Sequence, residues 1–373
     1  MKLIFWVAIA VVTYTYLGYP AWLFLRSRWR PRPVQPHPFF PDISIVMAVR
    51  NEEQSLERKL RNLVRLDYPC DKREIIVVSD GSSDRTNSIL AEFSRSFGVR
   101  TILNQQPRGK AGALNDATAT AHGEIVVFTD ARQEIGLDAV RLLMENFADP
   151  EVGCASGQLV LGTPGSGEDP SGMGLYWRIE KKIREMESIS SSVVGATGSF
   201  YAVRRGLLVP IPLETILDDV YIPMHALRQG ARIIFDPRAL AWDVPDQGLK
   251  REFARKVRTL TGNYQLLRLA PWLLGTGNPI WLKFVSHKLL RLVVPFALGA
   301  MLVAAALLHE PIYRIALIFQ LAFYSLGIWA LIQPKRGRLD RIAGAASTFL
   351  LLNTAALIAF VTFISGRKPA WTR

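Results

Sequence analysis

Four long apolar segments constrain this 373-residue chain more than any other feature of its sequence. The first covers residues 3–25 and contains no charged residue. Three more lie close to the C-terminus, at about 292–308, 315–332 and 342–365. A helix of about 20 apolar residues crosses a hydrocarbon layer of roughly 30 Å. Because these segments lack the polar face of a core helix in a soluble protein, the sequence predicts a membrane protein.

The first apolar segment is interpreted as an anchor rather than a cleaved leader. Only Lys2 precedes it, and its apolar part is too long for a leader. Tyr19, Pro20 and Trp22 also spoil a small-residue cleavage site. The segment is followed directly by basic residues, namely Arg26, Arg28, Arg30 and Arg32. The positive-inside rule therefore predicts an inner or plasma membrane protein whose central domain is cytosolic.

The basic residues near the C-terminus give a less consistent topology. Lys335, Arg336, Arg338 and Arg341 place the loop between the last two spans inside. Three C-terminal spans then leave the C-terminus outside, against the preference of Arg367, Lys368 and Arg373. One C-terminal segment can instead be re-entrant or interfacial, so the number of C-terminal spans, about three, stays open.

The formal net charge of +13 indicates anionic partners. Much of this charge lies beside the predicted spans, which favours lipid headgroups and phosphate-bearing substrates and disfavours nucleic acid. Cys70 and Cys154 are the only cysteines, and their spacing indicates neither a disulfide nor a metal site.

The middle of the chain alternates predicted strands with predicted helices. Five prolines first make residues 30–41 an extended linker. The strands are predicted at 43–49, 75–79, 100–103 and 125–129, and the helices at 53–66, 85–97 and 111–121. Such βαβ alternation predicts a parallel sheet, and ligands of open parallel sheets bind beyond the carboxyl ends of the strands. That rule indicates residues 49–53, 79–84 and 129–133 as candidate site segments.

The second half of the domain is less regular. It is predicted to hold a loop at 162–174, a helix at 175–188, strands at 200–203 and 232–235, and a basic helix at 250–269. The chain thus divides into an anchor (1–29), a Pro-rich linker (30–41), a cytosolic α/β domain (42–249), basic interfacial helices (250–288), C-terminal spans (289–366) and a basic tail (367–373).

Acidic residues at predicted strand ends are the main candidates for chemistry. Asp80 ends a strand, where its carboxylate can accept hydrogen bonds from a nucleobase or a ribose, although Gly81 and Asp84 beside it equally suit a turn and a helix cap. Asp130 ends another strand and can bind a divalent cation that bridges phosphates, or can simply cap a loop. Lys110, at a helix start, can neutralise a diphosphate, or be a solvated lysine.

Two further charged pairs are candidates. Asp218 and Asp219 begin a predicted helix, where they favour the helix dipole or deprotonate an acceptor hydroxyl. Arg255 and Arg258 lie on the basic helix, where they form a positive-inside patch or stabilise a leaving diphosphate.

In this order, these segments resemble the family 2 glycosyltransferases of the GT-A fold, in particular the membrane-embedded branch that makes cellulose, hyaluronan and poly-N-acetylglucosamine. The likeness runs from about residue 42 to residue 281. The family's opening signature is matched by residues 45–53, IVMAVRNEE, and its donor-side segment by residues 109–115, GKAGALN. The resemblance implies that Glu52 lies at the donor nucleotide and that Asp80 binds the nucleobase.

The same resemblance implies roles in the second half of the domain. Gly198 and Ser199 look like part of the acceptor-side loop. Asp219 matches the aspartate that serves as base, and Asp218 takes the position of the neighbouring glutamate. Inverting transfer from a nucleotide-sugar, with UDP as the expected nucleotide, is the reaction this implies. The enzyme would be a hexosyl- or N-acetylhexosaminyltransferase.

Two departures from the family pattern affect what is expected. The Asp-x-Asp motif becomes Asp130-Ala131-Arg132, so Asp130 alone remains to hold Mg²⁺ or Mn²⁺, and Arg132 can supply part of the positive charge. The basic motif reads RKVRT at 255–259 and lacks the tryptophan of processive relatives.

The acceptor is therefore left open between a growing polysaccharide, with a possible export partner, and a lipid that receives one sugar. The lipid is a polyprenyl phosphate, or a glycerolipid or sphingolipid headgroup. A non-catalytic, transferase-like scaffold is the alternative from another class.

Overall fold

The computed structural model describes residues 1–163, 173–244, 248–332 and 340–366. Most of the predicted loop at 162–174, the basic residues Lys335, Arg336 and Arg338, and the basic tail at 367–373 lie outside these ranges. The strands are β1 Ile43–Val49, β2 Arg73–Asp80, β3 Arg100–Asn104, β4 Ile125–Thr129, β5 Glu134–Ile135, β6 Val152–Leu161, β7 Phe200–Arg204 and β8 Arg232–Asp243.

Eleven helices are numbered here in chain order among the described residues. The long apolar helices are α1 Lys2–Trp29, α9 Trp281–Leu307, α10 Pro311–Ile332 and α11, which runs over Asp340–Ile364. The others are α2 Leu56–Val64, α3 Thr86–Phe97, α4 Gly109–Ala119, α5 Ala139–Glu145, α6 Met173–Ser190, α7 Asp218–Arg228 and α8 Leu249–Leu269.

The strands form one sheet in the order β3-β2-β1-β4-β7-β6-β8-β5. β1, β2, β3 and β4 pair in parallel, as the βαβ pattern predicted. β7 is antiparallel to β4 and β6, while β6 and β8 are parallel to each other. The expectation of a mostly parallel α/β sheet is therefore confirmed.

Hydrophobic cores lie on both faces of the sheet. Along β1, Ile45 and Met47 face a core that contains Leu60 of α2. Val46 faces the opposite core, which contains Ala113 of α4 and packs on α7. Because successive strand residues point to opposite faces, a fully buried strand such as β1 reads as a continuous apolar run.

Two predicted boundaries were wrong for a local reason. The strand expected to end at Phe235 continues to Asp243, because the chain passes Asp236 and Pro237 through an irregularity in its pairing with β6. Oδ1 of Asp236 accepts a hydrogen bond from the backbone N–H of Arg238, which stabilises this irregularity. The helix expected from residue 53 begins at Leu56. A turn comes first, in which the backbone N–H groups of Ser55 and Leu56 both donate to the backbone oxygen of Glu52.

In the described part of the chain, four helices are long and apolar enough to cross a membrane, which agrees with the four apolar segments of the sequence. We describe the chain accordingly as a multi-pass membrane protein. α9 begins at Trp281, well before the apolar segment at 292, and its first turns pack on the α/β domain through Phe284. α8 packs on the spans through Tyr264, which lies in one cluster with Leu292 of α9 and Ala359 of α11.

Buried polar contacts join the domain to the spans through α6. Glu187 of α6 accepts a 2.5 Å hydrogen bond from the hydroxyl of Tyr19 in α1. The ring of His287 in α9 lies between two carboxylates, with Nδ1 2.8 Å from Glu187 Oε1 and Nε2 2.8 Å from Glu180 Oε1. Arg291 donates to the other oxygen of Glu180 at 2.8 Å. Directional contacts of this kind hold three helices in one arrangement.

Candidate active site

Asp80 ends β2 and is fully buried. Its Oδ1 accepts a hydrogen bond from the backbone N–H of Arg108 at 2.7 Å, and its Oδ2 accepts one from Gly109 at 2.8 Å. These are N–H groups at the start of α4, which have no partner within the helix. In this structure, Asp80 therefore fixes the end of the helix that carries Lys110, and contact with a nucleobase stays a prediction.

The turn after Asp80 requires glycine. Gly81 has φ +65°, and a β-carbon there would lie 2.8 Å from the backbone nitrogen of Pro107. Asp84, three residues later, accepts hydrogen bonds from the backbone N–H groups of Thr86 and Glu53. Gly81 thus fits the predicted turn. Asp84 was predicted as a helix cap, but it lies one residue before the N-cap Arg85, from where its carboxylate still accepts from the first helical N–H.

Lys110 brings the two halves of the domain together. Its Nζ lies 3.0 Å from Oδ1 of Asp130 and 3.3 Å from Oδ1 of Asp218. Burial lowers the pKa of Lys110, but Asp130, Asp218 and Asp219 outweigh burial and raise it above its ordinary value. Lys110 is therefore charged, and it is not the solvated lysine that the sequence allowed.

Asp219 lies beside this ion-pair network. Burial, followed by the charge of Asp218, raises the pKa of the Asp219 carboxyl, and Lys110 opposes the rise. A carboxylate with a raised pKa is a better proton acceptor than an ordinary aspartate. The backbone oxygen of Asp219 accepts a 2.7 Å hydrogen bond from Ala196, which fixes the start of α7 against the neighbouring loop.

The loop that contains Gly198 and Ser199 borders Asp219 on one side. A β-carbon on Gly198 would lie 2.9 Å from Oδ2 of Asp219, so only glycine leaves this carboxylate undisturbed. The backbone oxygen of Ser199 accepts a 3.0 Å hydrogen bond from Thr129 Oγ1, one residue before Asp130. The predicted acceptor-side residues therefore lie between the two carboxylate positions.

A buried lysine that sequence reasoning missed supports the Asp130 turn. Nζ of Lys59 donates to Thr129 Oγ1 at 2.8 Å and to the backbone oxygen of Gln133 at 2.7 Å. Burial lowers the pKa of Lys59 to about 7, although Asp130 acts in the opposite direction. The sequence signal that could have indicated its burial is its spacing, because Lys59 shares the apolar face of α2 with buried leucines at 56, 60 and 63.

Arg132 makes a strong contact away from Asp130. Its Nη2 donates to Oδ2 of Asp243 at 2.5 Å, and Nε2 of Gln133 donates to the same oxygen at 3.2 Å. Nη1 of Arg255 lies 3.7 Å from that oxygen as well. Asp243 was missed because the predicted strand stopped at 235, eight residues before it.

The remaining predicted donor-side residues are Glu52 and Arg258. Oε2 of Glu52 accepts a 2.6 Å hydrogen bond from Ser55 Oγ in the loop after β1. Arg258, one turn of α8 after Arg255, has a buried Nε without a hydrogen-bond partner among the described residues. The structure thus joins Lys110, Asp130 and Asp218 by direct ion pairs, whereas the roles assigned to Glu52 and Arg258 stay predictions.

The carboxylates at the strand ends of a mostly parallel sheet, with helices on both faces, define a GT-A domain. The mannosyltransferase PcManGT from Pyrobaculum calidifontis, solved in complex with GDP-Man and Mn²⁺, shares this fold. The TM-score is 0.73 at 24% sequence identity, covering 98% of this chain and 99% of that one. Residues 44–209 match the profile of the family described as Glycosyl transferase family 2. They form a family 2 glycosyl transferase domain, flanked by membrane helices.

Curated relatives include poly-beta-1,6-N-acetyl-D-glucosamine synthases. The protein from Staphylococcus aureus (strain COL) is 27% identical over 234 residues, which are 60% of this chain and 55% of that protein. The protein from Staphylococcus epidermidis is 27% identical over 239 residues, 62% of this chain and 56% of its own length. The matched region therefore spans about half the length of these relatives.

Proposed function

We propose that this chain is an inverting glycosyltransferase that uses a nucleotide-sugar donor and a polysaccharide or lipid-linked acceptor. The observation that carries the proposal is the position of Asp219, which is half-buried beside Gly198 and next to the Lys110–Asp218 ion pair. UDP-N-acetylglucosamine is the first donor to test, because the curated relatives are named as synthases of an N-acetylglucosamine polymer. GDP-mannose is the second, since the PcManGT structure contains it.

The proposed reaction is a single displacement. Asp219 takes the proton of an acceptor hydroxyl as the hydroxyl oxygen forms a bond to the anomeric carbon. The bond from that carbon to the diphosphate oxygen breaks, and its electron pair leaves with the nucleoside diphosphate. In this reaction Lys110 holds Asp218 in place. Arg255 and Arg258, both on α8, stabilise the negative charge of the leaving diphosphate.

A divalent cation fits this site in a limited way. Among the described residues no group of three or more His, Cys, Asp or Glu side chains is arranged to hold a metal ion. Mg²⁺ commonly keeps several waters and binds one or two carboxylates together with substrate phosphates. Asp130, whose side chain is 37% exposed, suits that single-carboxylate role for a cation bound to the nucleotide.

Transfer of one sugar to a lipid is the second candidate, and the spans favour it. Three polar residues of the described spans make protein contacts: Arg291 with Glu180, Gln320 with Leu298 and Tyr324, and Asn353 with Phe349. A polysaccharide channel needs polar groups that face its lumen, and these three are engaged within the protein. The basic residues in the last turn of α1 and directly after it support a cytosolic position for the domain.

The test is transfer of labelled sugar from UDP- and GDP-sugars by membranes that contain the full chain. Reactions are run with and without Mg²⁺ or Mn²⁺, beside Asp219→Asn, and products are separated into lipid and polymer fractions. We expect label in one fraction, reduced about 100-fold or more in Asp219→Asn. Near-normal transfer by that variant removes Asp219 as the base. No transfer from any donor supports the scaffold alternative.

A further inference from the structure

The pairing of β5 with β8 brings Asp243 to the turn that follows Asp130. Glu134 lies opposite Trp242, and Ile135 lies opposite Ala241 in this antiparallel pair. The next position along the ladder therefore places Asp243 beside Gln133. Asp243 is 2% exposed, so its carboxylate is buried at the edge of the site.

One oxygen of Asp243 serves two arginines from separate parts of the fold. Oδ2 accepts from Arg132, on the turn after β4, and lies 3.7 Å from Nη1 of Arg255 on α8. Its other oxygen, Oδ1, is buried without a hydrogen-bond partner among the described residues. A buried carboxylate with spare accepting capacity requires positive charge beside it, and these two guanidinium groups supply that charge.

Both arginines are of the residue type that binds phosphate. A guanidinium group presents its N–H donors in a planar fork that matches the oxygens of a phosphate. The side chains of Arg132 and Arg255 are 35% and 44% exposed, so both reach the surface of the site. Lys110 is less accessible, because its side chain is 18% exposed and lies between Asp130 and Asp218.

We propose that Asp243 is a positioning residue that holds Arg132 and Arg255 together as a clamp on the diphosphate of the donor. Without a carboxylate between them, two guanidinium groups repel each other. Each arginine side chain then also loses conformational entropy about several rotatable bonds when it binds the diphosphate. With Asp243 in place, a diphosphate meets two arginines already fixed in orientation. The inference rests on the proposed function, which supplies the diphosphate.

The test compares Asp243→Asn with Asp236→Asn in the purified full chain. Asp236 is a matched control, because it is also a buried carboxylate on β8 and pairs with Arg238 at 2.8 Å, away from the site. Affinities for UDP, UMP, GDP and GMP are measured with Mg²⁺ present, and thermal unfolding is followed in parallel.

We expect Asp243→Asn to lower the affinity for the nucleoside diphosphates about tenfold and that for the monophosphates less than about twofold. Asp236→Asn should lower thermal stability without changing the ratio of the two affinities. Arg132→Gln should weaken the diphosphate to a similar extent, and adding it to Asp243→Asn should bring little further loss, because both act on one contact.

An unchanged ratio in Asp243→Asn overturns the clamp, as does an equal change of that ratio in Asp236→Asn. If the wild-type chain binds diphosphates no better than monophosphates, both the clamp and the proposed function fall. Diphosphate binding that depends on Asp243, without transfer of any sugar, contradicts the proposed function alone.

Discussion

Lys110 and Asp218 form a 3.3 Å ion pair that joins α4, in the first half of the domain, to α7, in the second. Asp218 precedes Asp219 directly, so this contact fixes the residue next to the proposed base. The same amine lies 3.0 Å from Asp130, and a single positive charge therefore offsets carboxylates on both sides of the site.

The first prediction concerns this amine. Lys110→Met keeps most of the side-chain volume but leaves Asp130, Asp218 and Asp219 without their shared cation. We expect sugar transfer to fall about 100-fold or more, measured as the initial rate at saturating donor. Lys182→Met, at an exposed lysine of α6 that pairs with Glu185, is the control and should transfer normally. A similar loss in both variants would point to a general effect of lysine removal.

The second prediction is the pH dependence of transfer. Asp219 must be deprotonated to accept a proton, and burial together with Asp218 raises its pKa above that of an ordinary aspartate. Transfer should therefore be full above this raised pKa and fall as the pH drops through it. Because Lys110 opposes the rise, Lys110→Met should move the fall in rate to higher pH. The rate–pH profiles of both proteins check this, and coincident midpoints would separate Lys110 from the titration of Asp219.

The third prediction concerns the close approach of a glycine to the base. Gly198→Ala places a methyl group 2.9 Å from Oδ2 of Asp219 and forces that carboxylate to move. We expect about a tenfold loss of transfer, since small misplacements of a catalytic group are costly, with little change in the unfolding temperature. Gly206→Ala is the control, because a β-carbon there meets nothing within 4 Å. Equal rates for the two variants would show that Asp219 tolerates displacement.

The fourth prediction concerns stability and Lys59. Burial lowers the pKa of Lys59 to about 7 in the folded state, whereas an unfolded lysine titrates near about 10.4. Between these values the unfolded chain binds a proton that the folded chain does not, so the free energy of unfolding rises with pH. Lys59→Met lacks this contribution. The unfolding temperature of the wild type minus that of Lys59→Met should therefore increase from pH 6 to pH 9, and a constant difference would contradict the burial of a neutral lysine.

Periodicity and apolar segments were sufficient to predict the parallel half of the sheet and the four apolar helices, and they placed Asp130 after a strand and Asp219 at a helix start. They were insufficient for β5, which has only two residues and owes its existence to pairing with β8. Asp243 was missed for the same reason. Lys59 was missed because a lysine is ordinarily an exposed residue; its place on the apolar face of α2 indicated burial, but its partners Thr129 and Gln133 lie about 70 residues away in the sequence. Local sequence patterns predict the helices and strands, whereas the other residues of the site are determined by contacts between positions distant in the sequence.

The contacts of Glu180 with His287 and Arg291 have a consequence for the acceptor. They fasten α6 to α9, and α6 adjoins the sheet that carries the site, so the domain is held in one orientation on the spans instead of on a loose tether. An acceptor anchored in the membrane must then bring its hydroxyl to a fixed position of Asp219, because the domain does not swing to meet it. Reach thus becomes a criterion of acceptor selection in its own right, separate from the chemistry of the sugar or the hydroxyl.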